Sequence, residues 1–288
     1  MSIENLVLAR DGRGMSALRP YLAPDFCERA ASLVLQHPGT VLVTTGFYIP
    51  GAGACETDGP PGAVALGSAL SALGYRAIYV TDERSSAVLR GLVDDESPVV
   101  EFPIAGHEES RAAAERLLSE LSPELVVAVE RCGLTDEGLY RNMHGADVTE
   151  YHAKVDFLFT ERIPSVGIGD GGNEIGMGNL LPVIPLVLPM PARPCATRTT
   201  RLVIASVSNW GAWGVVAALS RLTGRYLLPS RKEATRLLER AVSLGAVDGV
   251  SGRRTVSVDG FPVEDNARVL EEMHAWLARH GLVFSAER

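Results

Sequence analysis

Carboxylate side chains recur beside glycines in this 288-residue sequence, and a dense group of them lies in residues 167–179. Glycines alternate there with Asp170, Asn173 and Glu174, a mixture for which packing gives no reason. Glycine allows positive φ angles and lets the backbone approach a ligand closely. We therefore predict that residues 167–179 form a ligand-binding loop, with Asp170 and Glu174 facing the ligand.

Two kinds of chemistry suit carboxylates in such a loop. Carboxylate oxygens hold divalent cations such as Mn²⁺ or Mg²⁺. A carboxylate can also act as the base for a substrate that carries an amine. The residues alone favour neither kind of chemistry, so both stay open at this point.

The loop follows a strand-like run, and such runs alternate with helical segments along the chain. Apolar and β-branched residues predict strands at 40–45, 77–81, 99–103, 125–129, 165–169 and 202–207. Helical spacing of apolar residues is found at 62–73, 85–93, 108–121, 149–160 and 212–223. This alternation predicts an α/β fold with a doubly wound, mainly parallel sheet flanked by helices.

Polar turns follow the predicted strands, at residues 46–59, 82–83, 130–131, 170–174 and 208–210. Because parallel strands end at the same edge of a sheet, these turns are expected to form one acidic, glycine-rich cleft. Each turn alone also has a structural interpretation. Asp58 and Asp82 could cap nearby helices, and Glu130 could form an ordinary ion pair with Arg131.

Nucleotide and hydrolase motifs do not account for this cleft. Gly167-x-Gly169-x-x-Gly172 matches the dinucleotide fingerprint, but it follows a late strand and lacks the acidic residue expected about 20 positions later. The sequence contains no P-loop motif, no G-x-S-x-G elbow and no H-E-x-x-H. We expect no nucleotide cofactor.

Cysteines and histidines give weaker signals. Cys55 and Cys132 lie beside charged residues, yet no histidine pairs with either by spacing, and buried cysteine is the simpler interpretation. His144 and His152 could be acid–base groups, although a lone histidine is more often structural.

Composition limits the binding partners and the cellular location that we expect for this protein. The net charge is −8 and no basic stripe with interleaved aromatics is present, so nucleic acid is not an expected partner. No apolar run reaches the roughly 18 residues of a membrane span, and nothing at the amino terminus resembles a secretory signal. The four scattered cysteines fit reduced thiols, which predicts a cytoplasmic protein.

Five blocks of sequence together resemble one known family. They are Glu56-Thr57-Asp58-Gly59-Pro60-Pro61-Gly62-Ala63, Val129-Glu130-Arg131, residues 167–178, Val207-Ser208-Asn209-Trp210-Gly211 and Asp248-Gly249-Val250-Ser251-Gly252. In this order, within residues 40–262, they resemble the carboxyl-terminal, catalytic-type domain of the D-glutamate cyclase family. The chain resembles a stand-alone form, without the additional amino-terminal domain of the longer, mitochondrial animal members.

We interpret the chain as a single domain over residues 1–288. Residues 1–38 form a helical lead-in that is interpreted as scaffold, and residues 40–262 form the family-like region. A closing helix is predicted at residues 263–288.

The resemblance implies a carbon–oxygen lyase that converts D-glutamate to 5-oxo-D-proline and water. It implies Glu130, Asp170 and Glu174 as catalytic residues, with Glu130 or Glu174 as the base. Asp58 and Asp170 would hold a divalent cation, Mn²⁺ or Mg²⁺, or the ammonium group. The expected substrate-binding residues are Glu56, Thr57, Asp58, Gly59, Arg131, Gly171, Gly172, Asn173, Ser208, Asn209 and Trp210.

Within that set, Arg131 is expected to bind the α-carboxylate, and the N–H groups of Gly171, Gly172 and Asn173 to hold an oxyanion. The expected partner is a glutamate-like small molecule, and a homo-oligomer is compatible with the sequence. Two other functions stay open. One is a metal-dependent hydrolase or phosphatase using the same cleft, and the other is a non-catalytic domain that binds a small amino acid.

Overall fold

A six-stranded parallel sheet is the centre of the computed structural model, which describes residues 1–187 and 191–283. In chain order the strands are β1 Thr40–Thr45, β2 Tyr48–Ile49, β3 Ala54–Cys55, β4 Arg76–Thr81, β5 Val99–Glu101, β6 Leu125–Val129, β7 Ser165–Gly169, β8 Arg201–Ile204, β9 Ser257–Val258 and β10 Phe261–Pro262. The pairs β2–β3 and β9–β10 are short antiparallel ribbons, and the other six strands form the sheet.

Helices connect the strands, and local signals explain several helix starts. The α-helices are α1 Ile3–Val7, α2 Phe26–Gln36, α3 Pro60–Ala72, α4 Glu83–Leu92, α5 His107–Leu121, α6 Ser208–Thr223, α7 Arg231–Ser243 and α8 Val263–Arg279. Short 3-10 helices cover Met15–Tyr21, Thr149–Tyr151, Val155–Leu158, Met177–Leu180 and Ile184–Leu186. Asp82 caps α4 by accepting from the N–H of Arg84, and Ser230 with Glu233 forms a capping box on α7.

The strand order in the sheet is β5-β4-β1-β6-β7-β8. Strand β1 lies inside the sheet, where Val43 pairs with Tyr79 of β4 on one side and Val127 of β6 on the other. The chain first winds outward from β1 to β5 and then returns to β6, so the winding direction reverses between β1 and β6. Open α/β sheets bind ligands at such a reversal, outside the carboxyl ends of the strands. The predicted doubly wound α/β fold is confirmed.

Alternating side chains of the strands supply two hydrophobic cores. On β1, Val41 and Val43 belong to the larger core, which also contains residues of α2, α3, α6 and α8, whereas Leu42 belongs to the smaller one. Helix α5 and the 3-10 helix Val155–Leu158 contribute to that smaller core. Because both faces are covered, the strand ends are the part of the sheet that is open to a ligand.

Helix α6 runs through the larger core, and its amino terminus points toward the carboxyl edge of the sheet. Residues 208–220 are all buried. A Cβ atom at Gly211 would lie 2.6 Å from the Ile168 side chain of β7, so glycine is what allows α6 to approach the sheet. The N–H of Ser208, the first residue of α6, donates to Asp58 and Asp170. The helix therefore directs its amino terminus at carboxylates on the carboxyl edge of the sheet.

One predicted helix is wrong. Residues 149–160 form two 3-10 helices, Thr149–Tyr151 and Val155–Leu158, instead of one α-helix. Asp156 within this segment accepts hydrogen bonds from the N–H of Leu134, at 2.8 Å, and from the Tyr140 hydroxyl. These tertiary bonds, which helical spacing cannot reveal, hold the segment in its irregular course.

Several predicted boundaries also differ, among them the end of the strand at 99–103, which stops at Glu101. The predicted strand at 202–207 ends at Ile204, so Ser208 and the two residues after it form the first turn of α6 and not a loop. The predicted closing helix at 263–288 ends at Arg279, and residues 284–288 lie outside the described residues. In the described part of the chain, none of the helices combines the length and the apolar character needed to cross a bilayer.

Candidate active site

A cavity of about 520 Å³ opens at the carboxyl edge of the sheet. The residues that line it are Arg13, Phe47, Ile49, Pro50, Gly51, Glu56, Glu130, Asn142, Met143, His144, Asp170, Gly171, Asn173, Glu174, Gly249, Val250 and Asp259. They come from the segments after β1, β6 and β7, together with residues near both ends of the chain. Of the residues proposed from the sequence, Glu56, Glu130, Asp170, Gly171, Asn173 and Glu174 lie in this lining.

Glu130 enters the cavity through an unusual backbone turn. It follows β6 directly and has a φ of +44°, a left-handed conformation that non-glycine residues rarely adopt and that clusters at functional sites. Its Oε2 atom accepts a hydrogen bond of 2.6 Å from the Ser208 hydroxyl of α6. A Cβ atom at Gly59 would lie 2.8 Å from the Cβ of Glu130, which explains the glycine at this position. The fold thus holds Glu130 closely from two sides.

Glu174 organises the glycine-rich loop. Its carboxylate accepts from the N–H of Gly171 at 2.7 Å and from the N–H of Gly172 at 2.9 Å. A Cβ atom at Gly171 would lie 2.8 Å from Oε1 of Glu174, so the glycine is needed for this close approach. These contacts correct the expectation that Gly171 and Gly172 hold a substrate oxyanion, because both N–H groups already donate to Glu174.

Asp58 and Asp170 meet at the amino terminus of α6. Asp58 accepts from the N–H groups of Gly59, Ser208 and Asn209 at 3.0, 2.7 and 2.8 Å. Asp170 accepts from the Ser208 N–H at 3.0 Å. Asp58 therefore binds the start of α6, whereas the sequence pointed to a cap on the helix that follows Asp58. Asp58 lies behind the cavity wall and Asp170 in it.

Three of the proposed substrate-binding residues support the wall from behind and do not line the cavity. The Asn209 side chain accepts from the N–H groups of Gly59 and Gly62 and donates to the carbonyl oxygen of Thr57, which ties α3 to α6. The Thr57 hydroxyl donates to the carbonyl oxygen of Ser257. Trp210 is fully buried and its indole N–H donates to Asn266.

The side chain of Arg131 lies inside the protein and contacts protein groups there. Its guanidinium, which is fully buried, donates to the carbonyl oxygens of Gly46 at 2.7 Å and Ala153 at 2.9 Å and pairs with Asp82 at 2.5 Å. Although burial opposes charge on both groups, their attraction lowers the pKa of Asp82 and raises that of Arg131. Arg131 does not line the cavity, which corrects the expectation that it binds the substrate carboxylate.

Two charged residues absent from the sequence prediction line the cavity, Arg13 and Asp259. The guanidinium of Arg13 pairs with Asp170 and, at 2.9 Å, with Asp259. Asp259 has a left-handed backbone with φ +53°, as Glu130 does, and its side chain is only 5% exposed. Its Oδ2 atom has no hydrogen-bond partner among the described residues. The segment interpreted as scaffold, residues 1–38, therefore contributes a charged group to the site.

A sequence signal for both residues exists. Every Asp-Gly dipeptide of the chain belongs to a segment at this site: Asp11-Gly12, Asp58-Gly59, Asp170-Gly171, Asp248-Gly249 and Asp259-Gly260. Asp-Gly favours tight turns, and turns at the ends of elements carry functional residues. Arg13 lies directly after the first of these dipeptides, between two glycines.

The cavity and the wall behind it hold six buried carboxylates beside one guanidinium, that of Arg13. The carboxylates are those of Glu56, Asp58, Glu130, Asp170, Glu174 and Asp259. Burial is the largest cause that raises the pKa of each of them. Repulsion between neighbours adds to this, so that the pKa values of Asp58 and Asp259 rise to about 7. The cluster can thus hold protons near neutral pH.

The oxygen atoms of this cluster also fit a hard divalent cation. Two groups each bring three carboxylate oxygens within 4.8 Å of one another: Asp58, Asp170 and Asp259, and Glu130, Asp170 and Glu174. Asp170 belongs to both. Mg²⁺ and Mn²⁺ prefer such all-oxygen donors. In the first group, the Oδ2 atom of Asp259 has no hydrogen-bond partner among the described residues and is therefore open to such an ion.

The cysteines and His152 have structural surroundings. All four cysteines are free and buried, and burial raises the pKa of Cys55 to about 12 and that of Cys132 well above its ordinary value. In His152 one ring nitrogen accepts from the N–H of Tyr48 and the other donates to the carbonyl oxygen of Val148. Burial lowers the pKa of His152 to about 4, so it stays neutral. His144 is exposed and lies in the cavity lining.

Comparison with known proteins adds to this geometry. Residues 3–274 match the family model described as D-glutamate cyclase-like, C-terminal. The human protein named "D-glutamate cyclase, mitochondrial" is 30% identical over 286 residues, in an alignment that covers 84% of this chain and 46% of the human protein. The chain therefore spans about half the length of the curated relative that it matches.

Proposed function

The chain belongs to the D-glutamate cyclase-like family, and we propose that its acidic cavity is the active site of a lyase that converts D-glutamate to 5-oxo-D-proline and water. One structural observation supports the proposed reaction in addition to the family match. The residues that match the family's unusual blocks bring a group of buried, proton-holding carboxylates to the cavity at the switch point of the sheet. A cluster of this kind is suited to moving protons on a small amino acid.

The reaction needs groups that accept and return protons. A bond forms between the α-nitrogen and the γ-carbon, and one bond between the γ-carbon and an oxygen breaks. Two protons leave the ammonium group, and that oxygen departs with them as water. Protons are moved from nitrogen to oxygen without net uptake, so one carboxyl group that gives and takes a proton can serve both steps.

Glu130 is the residue best suited to this transfer. Glu174 accepts two backbone N–H groups, which stabilise its ionised form, whereas Glu130 accepts one hydrogen bond from Ser208. Burial and the nearby Asp170 and Glu174 raise the pKa of Glu130 well above its ordinary value. Glu130 can therefore take a proton from the ammonium group and return it to the departing oxygen.

The cavity walls supply the remaining requirements. Because the amine and the γ-carboxyl belong to one molecule, holding that molecule folded replaces much of the catalysis a two-substrate reaction would need. Phe47, Ile49 and Val250 give the cavity apolar surface for the methylene groups. A divalent cation, if held by Asp170 with Asp58 and Asp259 or with Glu130 and Glu174, would polarise the γ-carboxylate and neutralise part of the cluster.

The test is a direct assay of the purified chain. D-Glutamate and L-glutamate are incubated separately with added Mn²⁺, with added Mg²⁺ and with a chelator, and 5-oxoproline is quantified by chiral chromatography. We expect 5-oxo-D-proline from the D-isomer, above the rate of the enzyme-free control. Absence of product in all conditions would contradict the proposed reaction.

The expected cytoplasmic location and a homo-oligomeric state stay predictions. Four free, buried cysteines fit any reducing compartment. The word mitochondrial in the human relative's name applies to that protein. Fractionation of cells that express this chain, and light scattering of the purified protein, would test the two predictions.

A further inference from the structure

Arg13 gives the cavity that we propose as the active site a permanent positive charge. Among the described residues that line it, Arg13 is the only arginine or lysine. Its side chain is 18% exposed, and it belongs to the cavity wall. Its ion pairs with Asp170 and Asp259 engage two of the five N–H groups that a guanidinium carries. Arg13 thus combines a fixed charge with an accessible donor surface.

The segment that carries Arg13 is held firmly in place. The Asp11 carboxylate accepts from the backbone N–H groups of Arg13, Gly14, Met15 and Ser16 at 2.7 to 3.1 Å. Gly14 has a φ of +84°, and the 3-10 helix that follows it buries Met15 completely. This turn, an anchored loop and not a free tail, sets the position of Arg13.

A free α-amino acid carries opposite charges one carbon atom apart. Arg13 and its neighbours present the complementary pattern, a guanidinium directly beside the carboxylates of Asp170 and Asp259. An ammonium group placed against the carboxylates brings the α-carboxylate next to the guanidinium. A planar guanidinium is also the side chain that binds carboxylates with two parallel hydrogen bonds.

We infer that Arg13 binds the α-carboxylate of the substrate, with the neighbouring carboxylates facing the α-ammonium group. The inference rests on the proposed function, which makes the substrate a glutamate. Arg131, the arginine that the sequence pointed to, is fully buried against Asp82 and cannot take this role without breaking that pair. Arg13 is thus the specificity-determining residue for a substrate with a free α-carboxylate.

The experiment compares D-glutamate with its α-amide, in which the α-carboxylate is replaced by an uncharged carboxamide while the amine and γ-carboxylate remain. The variants are Arg13→Gln and Arg13→Lys, with Arg10→Gln as the matched control. Arg10 lies three positions away and pairs with Asp265, and it does not line the cavity. Steady-state kinetics of lactam formation give kcat and KM for each pair of enzyme and substrate.

We expect the unaltered protein to prefer D-glutamate over the α-amide, mainly through KM, by about 100-fold. Arg13→Gln should raise KM for D-glutamate by about that factor and bring the preference close to 1. Arg13→Lys, which keeps the charge but not the planar fork, should give an intermediate preference, and Arg10→Gln should match the unaltered protein. If Arg13 only stabilised the fold, both substrates would be affected equally and the preference would persist, which would overturn the inference.

The comparison of the two compounds also decides the inference if Arg13→Gln does not fold or if no lactam forms. If Arg13→Gln does not fold, the preference measured with Arg13→Lys decides in the same way. If the unaltered protein forms no lactam, the proposed reaction fails, and the two compounds then serve as unreactive ligands in calorimetry. A preference for D-glutamate that Arg13→Gln abolishes would still support the inference. Undetectable binding of D-glutamate, or a preference that the substitution leaves intact, would overturn it.

Discussion

Two arginines lie among buried acids at the same edge of the sheet, and the protein uses them differently. Arg131 pairs with Asp82 and donates to two backbone carbonyl oxygens, and nothing of its side chain is exposed. Arg13 lies beside six carboxylates that together carry more potential negative charge than one guanidinium can balance. We call the Arg131–Asp82 group the balanced cluster, because its two charges are paired inside the protein and away from the cavity. We call the Arg13 group the unbalanced cluster, because its excess carboxylates must hold protons or bind cations.

The largest expected effect comes from removing Glu130, the residue that we propose as the proton carrier in the unbalanced cluster. Glu130→Gln keeps an acceptor for the Ser208 hydroxyl but cannot carry a proton, so kcat should fall by about 10²- to 10⁴-fold. Rates of 5-oxoproline formation and thermal unfolding are measured together. Because burial disfavours the charged form of Glu130, a neutral glutamine at this position should not lower the melting temperature at pH 8.

Glu101→Gln is the control for this substitution, since Glu101 is an exposed acid paired with Arg90. It should leave both the rate and the melting temperature unchanged. Retained activity in Glu130→Gln would assign the proton transfer to another group. A collapse of its melting temperature would make Glu130 a structural residue like Arg131.

The second expected effect comes from breaking the balanced cluster. Arg131→Gln leaves Asp82 buried without its partner, and the free energy of unfolding should fall by about 3–5 kcal/mol. Urea unfolding followed by circular dichroism measures the loss. Arg90→Gln, which breaks the exposed pair with Glu101, should cost under about 1 kcal/mol. Equal losses in the two variants would refute the contrast between the two arginines.

The smallest expected effects are opposite dependences of stability on pH. The pKa of Asp259 is raised from its ordinary 3.8 to about 7, so the stability it contributes is present below pH 4 and is lost as the pH rises through 7. Asp259→Asn should therefore be more stable than the unaltered protein at pH 8, by about 1–3 kcal/mol, and the gain should vanish near pH 4. Asparagine also tolerates the left-handed backbone at this position.

For His152, which lies near Arg131 and Asp82 of the balanced cluster, stability depends on pH in the opposite direction. The pKa of His152 is lowered from 6.5 to about 4, so its stabilisation is present above pH 6.5 and is lost as the pH falls from 6.5 to 4. The loss should amount to about 3 kcal/mol. His152→Gln should show a smaller loss over that interval in urea unfolding at a series of pH values. The same slope in both proteins would exclude His152 as its source.

Much of the architecture was predictable because its signals are local. Strands β1, β6 and β7 have the predicted limits, since β-branched and apolar runs bounded by polar or glycine residues mark a buried parallel strand. Turn chemistry after these strands pointed to Glu130, Asp170 and Glu174, and all three side chains lie in the cavity lining. Their roles in catalysis stay predictions.

The errors arose where distant contacts override local pattern. Residues 149–160 have helical spacing, but the Asp156 carboxylate accepts hydrogen bonds from the Leu134 N–H and the Tyr140 hydroxyl, which hold the segment in an irregular course. The N–H groups of Gly171 and Gly172 donate to Glu174 and not to a ligand, a contact that depends on how the loop folds back on itself. In the pair Glu130-Arg131, one residue faces the cavity and the next the interior, which depends on a φ of +44° that residue types do not encode.

The sequence by itself determined the fold class, the family and the edge of the sheet where the acidic cavity lies, because strand periodicity, glycine-rich turns and family blocks each depend on a few neighbouring residues. Only the tertiary structure decided which arginine lines the cavity. Arg13 and Asp170 are 157 positions apart, and their pairing depends on the packing of the amino-terminal segment over the sheet edge. Electrostatic balance is a sum over groups brought together by folding, so no local pattern could reveal that one cluster was balanced and the other was not.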